Sequence, residues 1–428
     1  MTGTSDLDEV RASLDGDKSS NSAAPDKALV IADDIGVFLS VARSLGRAGI
    51  EVDVATCAED YPGLASRFVT QVHCLPPYLT MPQAWVEAVE RLIKTGGYQL
   101  VYPCSDSGLG MLNAVGARVD PAQRLVPNSA AFCAFTDKAQ TRQLAGTAGV
   151  PTAPGRALCA GPEALDLVAQ DPLPLVVKPS SPYQFGSEES KGKARIVRSK
   201  TDLARAMTDF QGRQIVVEQM FDGDGVGVSV LAKAGVIKAV WQHRRNACVD
   251  ETGRSSKRTG EAVDKSLLDD VTKLVEASDL TGVAMFEFIQ NPATQKHILL
   301  EVNPRYWGSL ALALAAGADF PFWHWQMMVD HDDDQVQDAG GSAVKSASNP
   351  LVTKANLDAE FDRLSDQMQR GDSVAGIAWQ VFGVMRAAWL NPEQFDGWAK
   401  DDPAPHWREV REIFARLGTA VYRRLRPG

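Results

Sequence analysis

Short apolar runs alternate with helical periodicity in the first part of the chain. Residues 28–32 form a continuous apolar run, which predicts a strand buried on both faces, and apolar positions then recur at helical spacing through Leu45. A second strand is predicted over 50–55, a helix over 81–95, a strand over 99–103 and a further candidate strand over 125–127. After a polar tail at residues 1–26, expected to be disordered, this pattern predicts an open parallel α/β domain over 27–135.

The pattern becomes antiparallel α+β from residue 136, where Thr136 is a candidate N-cap for a helix. Strands are predicted over 173–178, 215–221, 228–232 and 236–241, with a loop rich in Pro, Ser and Gly over 179–194. Residues 331–428 read as an acidic linker followed by helices over 374–389 and 407–425. The apolar stripe of the last helix, which begins at Trp407, favours docking onto the main body over a membrane role.

A hairpin with two facing carboxylates carries the most definite chemistry. Residues 284–290 and 297–302 flank a turn-rich linker, and if Asn291 and His297 close the hairpin, paired numbers sum to 588. Glu287 then lies opposite Glu301, with Cβ atoms ~4.5–5.5 Å apart, and Asn303 shares their face. These oxygen donors suit Mg²⁺, whereas a register slip of one residue would leave two solvent-facing glutamates instead.

The opposite face of the hairpin is predicted to be core. Its members are apolar and alternate with the carboxylates: Phe286, Phe288, Leu300 and Val302.

Several cations could meet a phosphate near that hairpin. Lys178 ends a buried strand, Lys138 begins a helix, and the loop after Lys178 carries Lys193 among glycines. Arg244 and Arg305 are favoured for bidentate capture of a carboxylate or phosphate. For the neighbouring Arg245, ordinary surface pairing explains the sequence equally well.

The first βα turn lacks the glycine fingerprint of dinucleotide-binding proteins, because Asp33 and Asp34 stand where a pyrophosphate would sit. Ligands of open α/β sheets bind at the carboxyl ends of the strands. The turn at 33–34 and the pair Ser105 and Asp106 are therefore candidate substrate contacts, although solvated turns are equally consistent with the sequence.

Charge and composition exclude several classes of protein. Lys and Arg total 44 against 54 Asp and Glu, a net charge of −10, which argues against a nucleic-acid binder. No run approaches the ~18–20 apolar residues of a membrane span, and the acidic N-terminus does not resemble a secretory signal. Six scattered cysteines without paired spacing fit reduced thiols, so a cytoplasmic location is expected.

Taken in order, five segments resemble the ATP-grasp superfamily of carboxylate–amine ligases. They are FTDKAQTRQLAGTAGVPTAP, PLVVKPSS, VVEQMFDGDGVGVSVL, WQHRR and GVAMFEFIQNPATQKHILLEVNPRYWGSL, within a similarity that covers about residues 28–330. The resemblance implies an N-terminal α/β domain on the substrate side over 27–135, then a two-subdomain ATP-grasp fold over 136–330 with a lid subdomain at about 150–216, and then a C-terminal helical region. The last segment, with two glutamates followed by Asn-Pro-Arg, is fairly specific.

The resemblance also implies roles for individual residues. Lys138, Lys178 and Lys193 would contact the phosphates of ATP, and Lys178, Arg244 and Arg305 would act in catalysis. One or two Mg²⁺ ions, or Mn²⁺ in their place, would bind Glu287, Glu301 and Asn303. The nucleotide base and ribose would be contacted by a hinge segment: Glu218, Gln219, Met220, Phe221 and Asp224. Substrates would be contacted by Ser105, Asp106, His243, Arg244, Arg305, Trp307, Gly308 and Ser309.

The implied reaction activates a small carboxylate as an acylphosphate and joins it to an amine, releasing ADP and phosphate. Such phosphoryl transfer needs positioning and electrostatics rather than a protein nucleophile, which agrees with the absence of a convincing nucleophilic triad in the sequence. Expected partners are these small molecules, neither nucleic acid nor membrane, with a homodimer as one expected assembly. Two alternatives stay open: a bicarbonate-using carboxylase or carbamoyl-phosphate-type enzyme, and a nucleotide-binding module without catalysis.

Overall fold

The structure, a computed structural model, describes residues 25–32, 35–58, 60–181, 194–249, 255–330, 345–349 and 351–425. Several sequence predictions concern residues outside these ranges. They are residues 1–24 of the tail predicted to be disordered over 1–26, the turn residues Asp33 and Asp34, the loop residue Lys193 and most of the acidic linker.

The N-terminal sheet has four parallel strands in the order β3-β2-β1-β4. Strand β3 is not predicted by the sequence pattern, because its sequence QVHC is polar and largely exposed at the sheet edge. The predicted strand over 125–127 is wrong: this segment only docks beside β4, where the Leu125 amide donates to the Val101 carbonyl at 3.1 Å. The elements are β1 Lys27–Ile31, α1 Ile35–Arg47, β2 Glu51–Thr56, β3 Gln71–Cys74, α2 Pro82–Gly96, β4 Leu100–Pro103 and α3 Asp106–Val115.

Two helices connect this sheet to a four-stranded antiparallel sheet with the strand order β5-β8-β6-β7. Asp137, and not Thr136, caps the second helix, since its carboxylate accepts from the amides of Ala139 and Gln140, while the Thr136 hydroxyl donates back to Phe132. The elements are α4 Ser129–Thr136, α5 Lys138–Ala148, β5 Gly155–Cys159, α6 Pro162–Val168, β6 Leu175–Pro179, β7 Arg195–Val197, α7 Lys200–Asp209 and β8 Gln214–Gln219.

A six-stranded antiparallel sheet forms the centre of the molecule, in the order β13-β12-β9-β10-β11-β14. Both faces are covered. Val228, Val240 and Phe286 pack on one side against α8, whereas Leu231 and Trp241 share a core with the N-terminal domain on the other. The elements are β9 Asp224–Lys233, β10 Val236–Cys248, β11 Ser255–Glu261, α8 Lys265–Ala277, β12 Gly282–Gln290, β13 His297–Asn303 and, from the C-terminal region, β14 Thr353–Ala355.

The C-terminal region docks on the main body, as the sequence predicts. Arg43 of α1 donates through Nε to the Asp402 carboxylate at 2.9 Å, and both side chains are buried. No helix in the described part of the chain is long and apolar enough to cross a membrane. The remaining helices are α9 Leu310–Ala315, α10 Phe320–Trp325, α11 Leu357–Gln369, α12 Val374–Leu390 and α13 Ala404–Leu425. The predicted fold class, a parallel α/β sheet followed by antiparallel sheets and C-terminal helices, is confirmed.

Candidate active site

Glu287 and Glu301 lie directly opposite each other on β12 and β13, as the hairpin pattern predicts. The predicted closing pair is wrong, because the turn pairs Gln290 with His297, and these numbers sum to 587. A β-bulge between Phe288 and Glu287 then shifts the register by one residue and restores the sum of 588 at the carboxylates. The alignment of the two carboxylates therefore depends on a bulge that the sequence pattern does not predict.

The bulge also changes which side chains of β13 reach the core. Leu299, and not the predicted Leu300, packs with Phe286, Phe288 and Val302. Leu300 is the extra residue of the bulge and is only partly buried, and its carbonyl accepts a hydrogen bond from Lys178 Nζ at 3.2 Å. The prediction that Leu300 faces the core is thus wrong.

Cations surround the two carboxylates unequally. Lys138 Nζ lies 3.0 Å from Glu301 Oε2. Burial alone would raise the pKa of Glu301, but the positive charges of Lys138 and Lys178 outweigh it and lower that pKa to about 2. The same contact raises the pKa of Lys138, although burial opposes the shift.

Glu287 is held differently. It is 7% exposed and pairs with the Arg245 guanidinium. Burial raises the pKa of the Glu287 carboxyl, and the facing charge of Glu301 adds to the increase, while Arg245 opposes it. One carboxylate of the pair is therefore firmly ionised, and the other depends on its arginine.

From strand β10, Arg245 and not Arg244 reaches the carboxylate pair. The sequence prediction that Arg244 lies at this site is wrong. Arg244 lies on the opposite face of β10, where its Nε donates to Glu261 at 3.1 Å and its Nη2 to Gln290 at 2.9 Å. Because successive side chains of a strand point to opposite faces, His243 and Arg244 could not both line one site. The alternation starting from His243 would have selected Arg245.

Arg305 connects the N-terminal domain to the carboxylate pair. Its Nε and Nη2 donate to the two carboxylate oxygens of Asp106 at 2.8 and 2.7 Å, and Nη2 also donates to Asn303 Oδ1 at 3.2 Å. The Asn303 amide in turn donates to Glu287 Oε1 at 3.2 Å. Ser105 caps helix α3 by accepting from the Gly108 amide, which places Asp106 in the first turn of that helix.

Lys178 adds a further buried cation, from strand β6 of the four-stranded antiparallel sheet. Its Nζ lies 2.5 Å from Glu218 Oε1, and the other oxygen of Glu218 accepts from Arg142 at 2.8 Å. Both Lys178 and Glu218 are buried, so solvent screens their ion pair only weakly.

In the hinge segment that the resemblance assigns to adenine, two backbone amides already donate hydrogen bonds within the protein. The Gln219 amide donates to Pro154 at 2.8 Å, and the Met220 amide donates to Pro174 at 3.1 Å. Phe221 follows immediately and is half-buried, and Asp224, at the start of β9, is exposed.

The other predicted substrate contacts divide into two groups. His243 and Ser309 meet, with Nε2 and Oγ 3.3 Å apart, and both line a cavity beside Glu287, as does Gly308. Burial, together with the charges of Arg245 and Arg258, holds the pKa of His243 well below its usual value, so its imidazole is neutral. The structure does not bring Trp307 to this cavity: it is fully buried and packs edge-on against Phe320.

The cavity has a volume of about 820 Å³, which is in the range of small-molecule sites. Its lining includes Arg245 and Glu287 of the central sheet and C-terminal residues such as Asp358 and Glu409. The C-terminal helices thus complete the wall of the site, a contribution that sequence reasoning missed.

The donor set fits a hard divalent cation only with help from a ligand. No cluster of three His, Cys, Asp or Glu side chains suited to a metal occurs among the residues that the structure describes. Glu287, Glu301 and the amide of Asn303 offer oxygen donors on one face, and Mg²⁺ commonly completes its shell with water and substrate phosphates. These residues therefore fit Mg²⁺ bound together with a nucleotide.

Comparisons with known proteins agree with this fold. Residues 211–350 match a family described as "ATP-grasp in the biosynthetic pathway with Ter operon". No curated protein matches the chain. Among solved structures, an L-amino acid ligase from Bacillus licheniformis is similar with a TM-score of 0.55 at 18% identity, covering 71% of this chain and 74% of that one.

Two further structures show the same likeness. Biotin carboxylase from Campylobacter jejuni has a TM-score of 0.55 at 16% identity, covering 70% of each chain. N5-carboxyaminoimidazole synthetase from Staphylococcus aureus has a TM-score of 0.56 at 15% identity, covering 81% of this chain and 86% of that one. The resemblance found in the sequence is confirmed at the level of the fold: the chain has the ATP-grasp fold, and residues 211–350, about a third of it, match an ATP-grasp family.

Proposed function

We propose that the protein is an ATP- and Mg²⁺-dependent ligase that joins a small carboxylate to an amine. The observation that carries this proposal is the facing pair Glu287 and Glu301, with Lys138, Arg245 and Arg305 gathered around it. Carboxylates that hold metal and cations that hold phosphate are the parts that phosphoryl transfer requires.

In the proposed first step, a substrate carboxylate oxygen attacks the γ-phosphorus of ATP, the bond to the β–γ bridging oxygen breaks, and ADP leaves. Lys138 and Lys178 would hold the phosphates, with Lys178 fixed by Glu218 and by the Leu300 carbonyl. Mg²⁺ held by Glu287, Glu301 and Asn303 would neutralise charge on the phosphate oxygens.

In the second step, the amine nitrogen attacks the acyl carbon, the carbon–oxygen bond to phosphate breaks, and the amine proton leaves with the phosphate or to water. Arg245 and Arg305 would stabilise the negative charge that develops on the acyl phosphate. His243 is neutral and touches Ser309, so its role would be to shape the cavity that Glu287 also lines.

Three further expectations accompany this proposal. The nucleotide base would lie at the hinge near Phe221, the protein would work in the cytoplasm, and it would form a homodimer. The solved structures include a biotin carboxylase domain dimer with MgADP, which motivates the last of these.

Hydroxylamine offers a test that does not require the natural amine. Purified full-length protein is incubated with Mg·ATP, hydroxylamine and a panel of small carboxylates, and the acyl hydroxamate and ADP are measured together. We expect equal amounts of hydroxamate and ADP with at least one carboxylate. Glu301→Gln should reduce both by 100-fold or more, while the exposed control Glu276→Gln on α8 should leave them unchanged.

Two results would count against the proposal. Formation of AMP and pyrophosphate would indicate an acyl-adenylate instead of an acylphosphate. Release of ADP that needs bicarbonate but no amine would favour a carboxylase.

A further inference from the structure

Helix α12 of the C-terminal region presents an apolar face to solvent. Its sequence VAGIAWQVFGVMRAAWL contains a single charged residue, Arg386. Met385 and Ala388 on the buried side share a core with residues of α11 and α13. Helices that are apolar on all sides are normally buried. The other side of α12 is nevertheless exposed among the described residues, and it carries large apolar side chains: Trp379, Phe382, Trp389 and Leu390.

The exposed side chains follow a heptad-like spacing. With 3.6 residues per turn, the positions that face solvent within an arc of ~80° are separated by intervals of four, three, four and three residues. Such intervals are typical of the contact line between two packed helices. Trp379 and Phe382 also touch each other, with ring centroids 5.7 Å apart. We call this set the α12 stripe, and its members are Ala375, Trp379, Phe382, Arg386 and Trp389.

The area of the α12 stripe is close to what a dimer interface needs. Trp379, Phe382 and Trp389 are 74%, 57% and 64% exposed. At ~150–250 Å² per aromatic residue, they leave ~300–500 Å² of apolar surface in contact with water. A standard interface buries ~800 Å² on each partner, of which ~450–520 Å² is apolar. One helix therefore supplies most of the apolar area that self-association requires.

The α12 stripe is also complementary to itself. Ala375 and Trp389 each lie seven residues from Phe382, so a two-fold axis at Phe382 would place the large Trp389 of one copy over the small Ala375 of the other. The same antiparallel arrangement brings Trp379 to within one residue of the level of Arg386, and a guanidinium stacks favourably on an indole ring. The two Phe382 rings would meet on the axis.

We propose that two copies of this chain associate as a dimer through the α12 stripe, with the two helices antiparallel about Phe382. Such a contact uses the same surface of both copies, as two-fold symmetric dimers do. The proposal does not depend on the ligase function, and it gives a surface to the homodimer expected above. Area and self-complementarity favour a second copy over a membrane surface, since the stripe offers only Arg386 to anionic lipids.

Sedimentation velocity of the full chain, over a hundredfold range of concentration, tests this interface. We expect a species of about twice the 46.2 kDa chain mass. Phe382→Glu would set two carboxylates against each other on the axis, and it should weaken the dimer at least 100-fold. The control Leu167→Glu changes an equally exposed apolar residue, 62% exposed on α6, and should leave the dimer unchanged. Circular dichroism verifies that both variants fold.

A size exchange tests the antiparallel arrangement. Ala375→Trp would place two indole rings in the space of one and should weaken the dimer at least tenfold. Adding Trp389→Ala to the same chain should return the affinity to within threefold of the wild type, because the large and small partners are then exchanged. Rescue of this kind would not follow from misfolding.

Three results would overturn the proposal: a monomeric wild type, an unchanged dimer in Phe382→Glu, or no rescue of Ala375→Trp by Trp389→Ala. A monomeric wild type would also refute the homodimer expected with the ligase, and sedimentation with phosphatidylcholine vesicles would then show whether a membrane covers the stripe. A dimer that survives Phe382→Glu would refute this interface alone. Hydroxamate formation is measured separately, so none of these results decides the ligase function.

Discussion

Replacing Arg245 tests the register of the central sheet, because its neighbour Arg244 provides a matched control on the opposite face. Arg245 pairs with Glu287, and the side chains are 14% and 9% exposed. Arg244 pairs with Glu261, and those side chains are 26% and 25% exposed. The same substitution, Arg→Met, thus removes a buried cation in one case and a partly solvated one in the other.

The magnitudes follow from burial. Two unit charges ~3 Å apart at an effective dielectric constant of ~20 attract each other by ~5–6 kcal/mol. Removing one partner of a buried pair leaves the other charge unpaired and costs ~3–5 kcal/mol, whereas a solvated pair contributes ~0–1 kcal/mol. At ~2 °C per kcal/mol for a long chain, Arg245→Met should lower the melting temperature by roughly 6–10 °C, and Arg244→Met by no more than ~2 °C.

Mg²⁺ sharpens the test, because it would neutralise the same carboxylate that Arg245 neutralises. Melting temperatures are measured with ADP, with and without Mg²⁺, for the wild type and both variants. The increase caused by Mg²⁺ should be larger in Arg245→Met than in the wild type and unchanged in Arg244→Met. Equal losses in the two variants, or the same Mg²⁺ increment in all three proteins, would refute the reasoning.

Three further outcomes are expected. Asp106→Asn should lower the melting temperature by ~2–4 °C, because a bidentate charged pair with Arg305 is replaced by a neutral one, and unchanged melting would contradict this. Gly227→Ala should cost ~1–3 kcal/mol in chemical denaturation, since its Cβ would lie 2.2 Å from His243 Cε1, while Gly146→Ala, with nothing within 4 Å, should cost nothing. Because burial raises the pKa of Glu409 to about 8, the folded state keeps a proton that the unfolded chain releases near pH ~4.3, so stability should fall between pH 5 and 8. If the whole pKa shift of Glu409 counted, the loss of folding stability would be ~5 kcal/mol, and we expect ~2 kcal/mol because the carboxyl lines an open cavity. Chemical denaturation at pH 5, 6.5 and 8 should show a weaker dependence of stability on pH in Glu409→Gln than in the wild type. The same dependence in both proteins would be inconsistent with this prediction.

Local patterns account for much of the fold. The apolar run at 28–32, the helical spacing after it and the alternation around Glu287 predict elements that the structure contains, because strand and helix periods are local properties of the chain. Edge strand β3 escaped this reasoning, since an exposed polar strand has no apolar alternation to detect.

The sequence by itself determined that Glu287 and Glu301 share a hairpin and that lysines and arginines lie within reach of them. Only the tertiary structure decided which of these groups meet. The bulge at Leu300 sets the register of the two carboxylates and brings the Leu300 carbonyl within hydrogen-bond distance of Lys178. The pleat of β10 places Arg245, and not Arg244, beside Glu287. The part of the cavity lining that Asp358 and Glu409 supply likewise forms only when the C-terminal helices dock. The physical reason is that periodicity specifies which face a residue takes within its element, whereas the partner on the facing element depends on long-range packing and on single-residue register shifts.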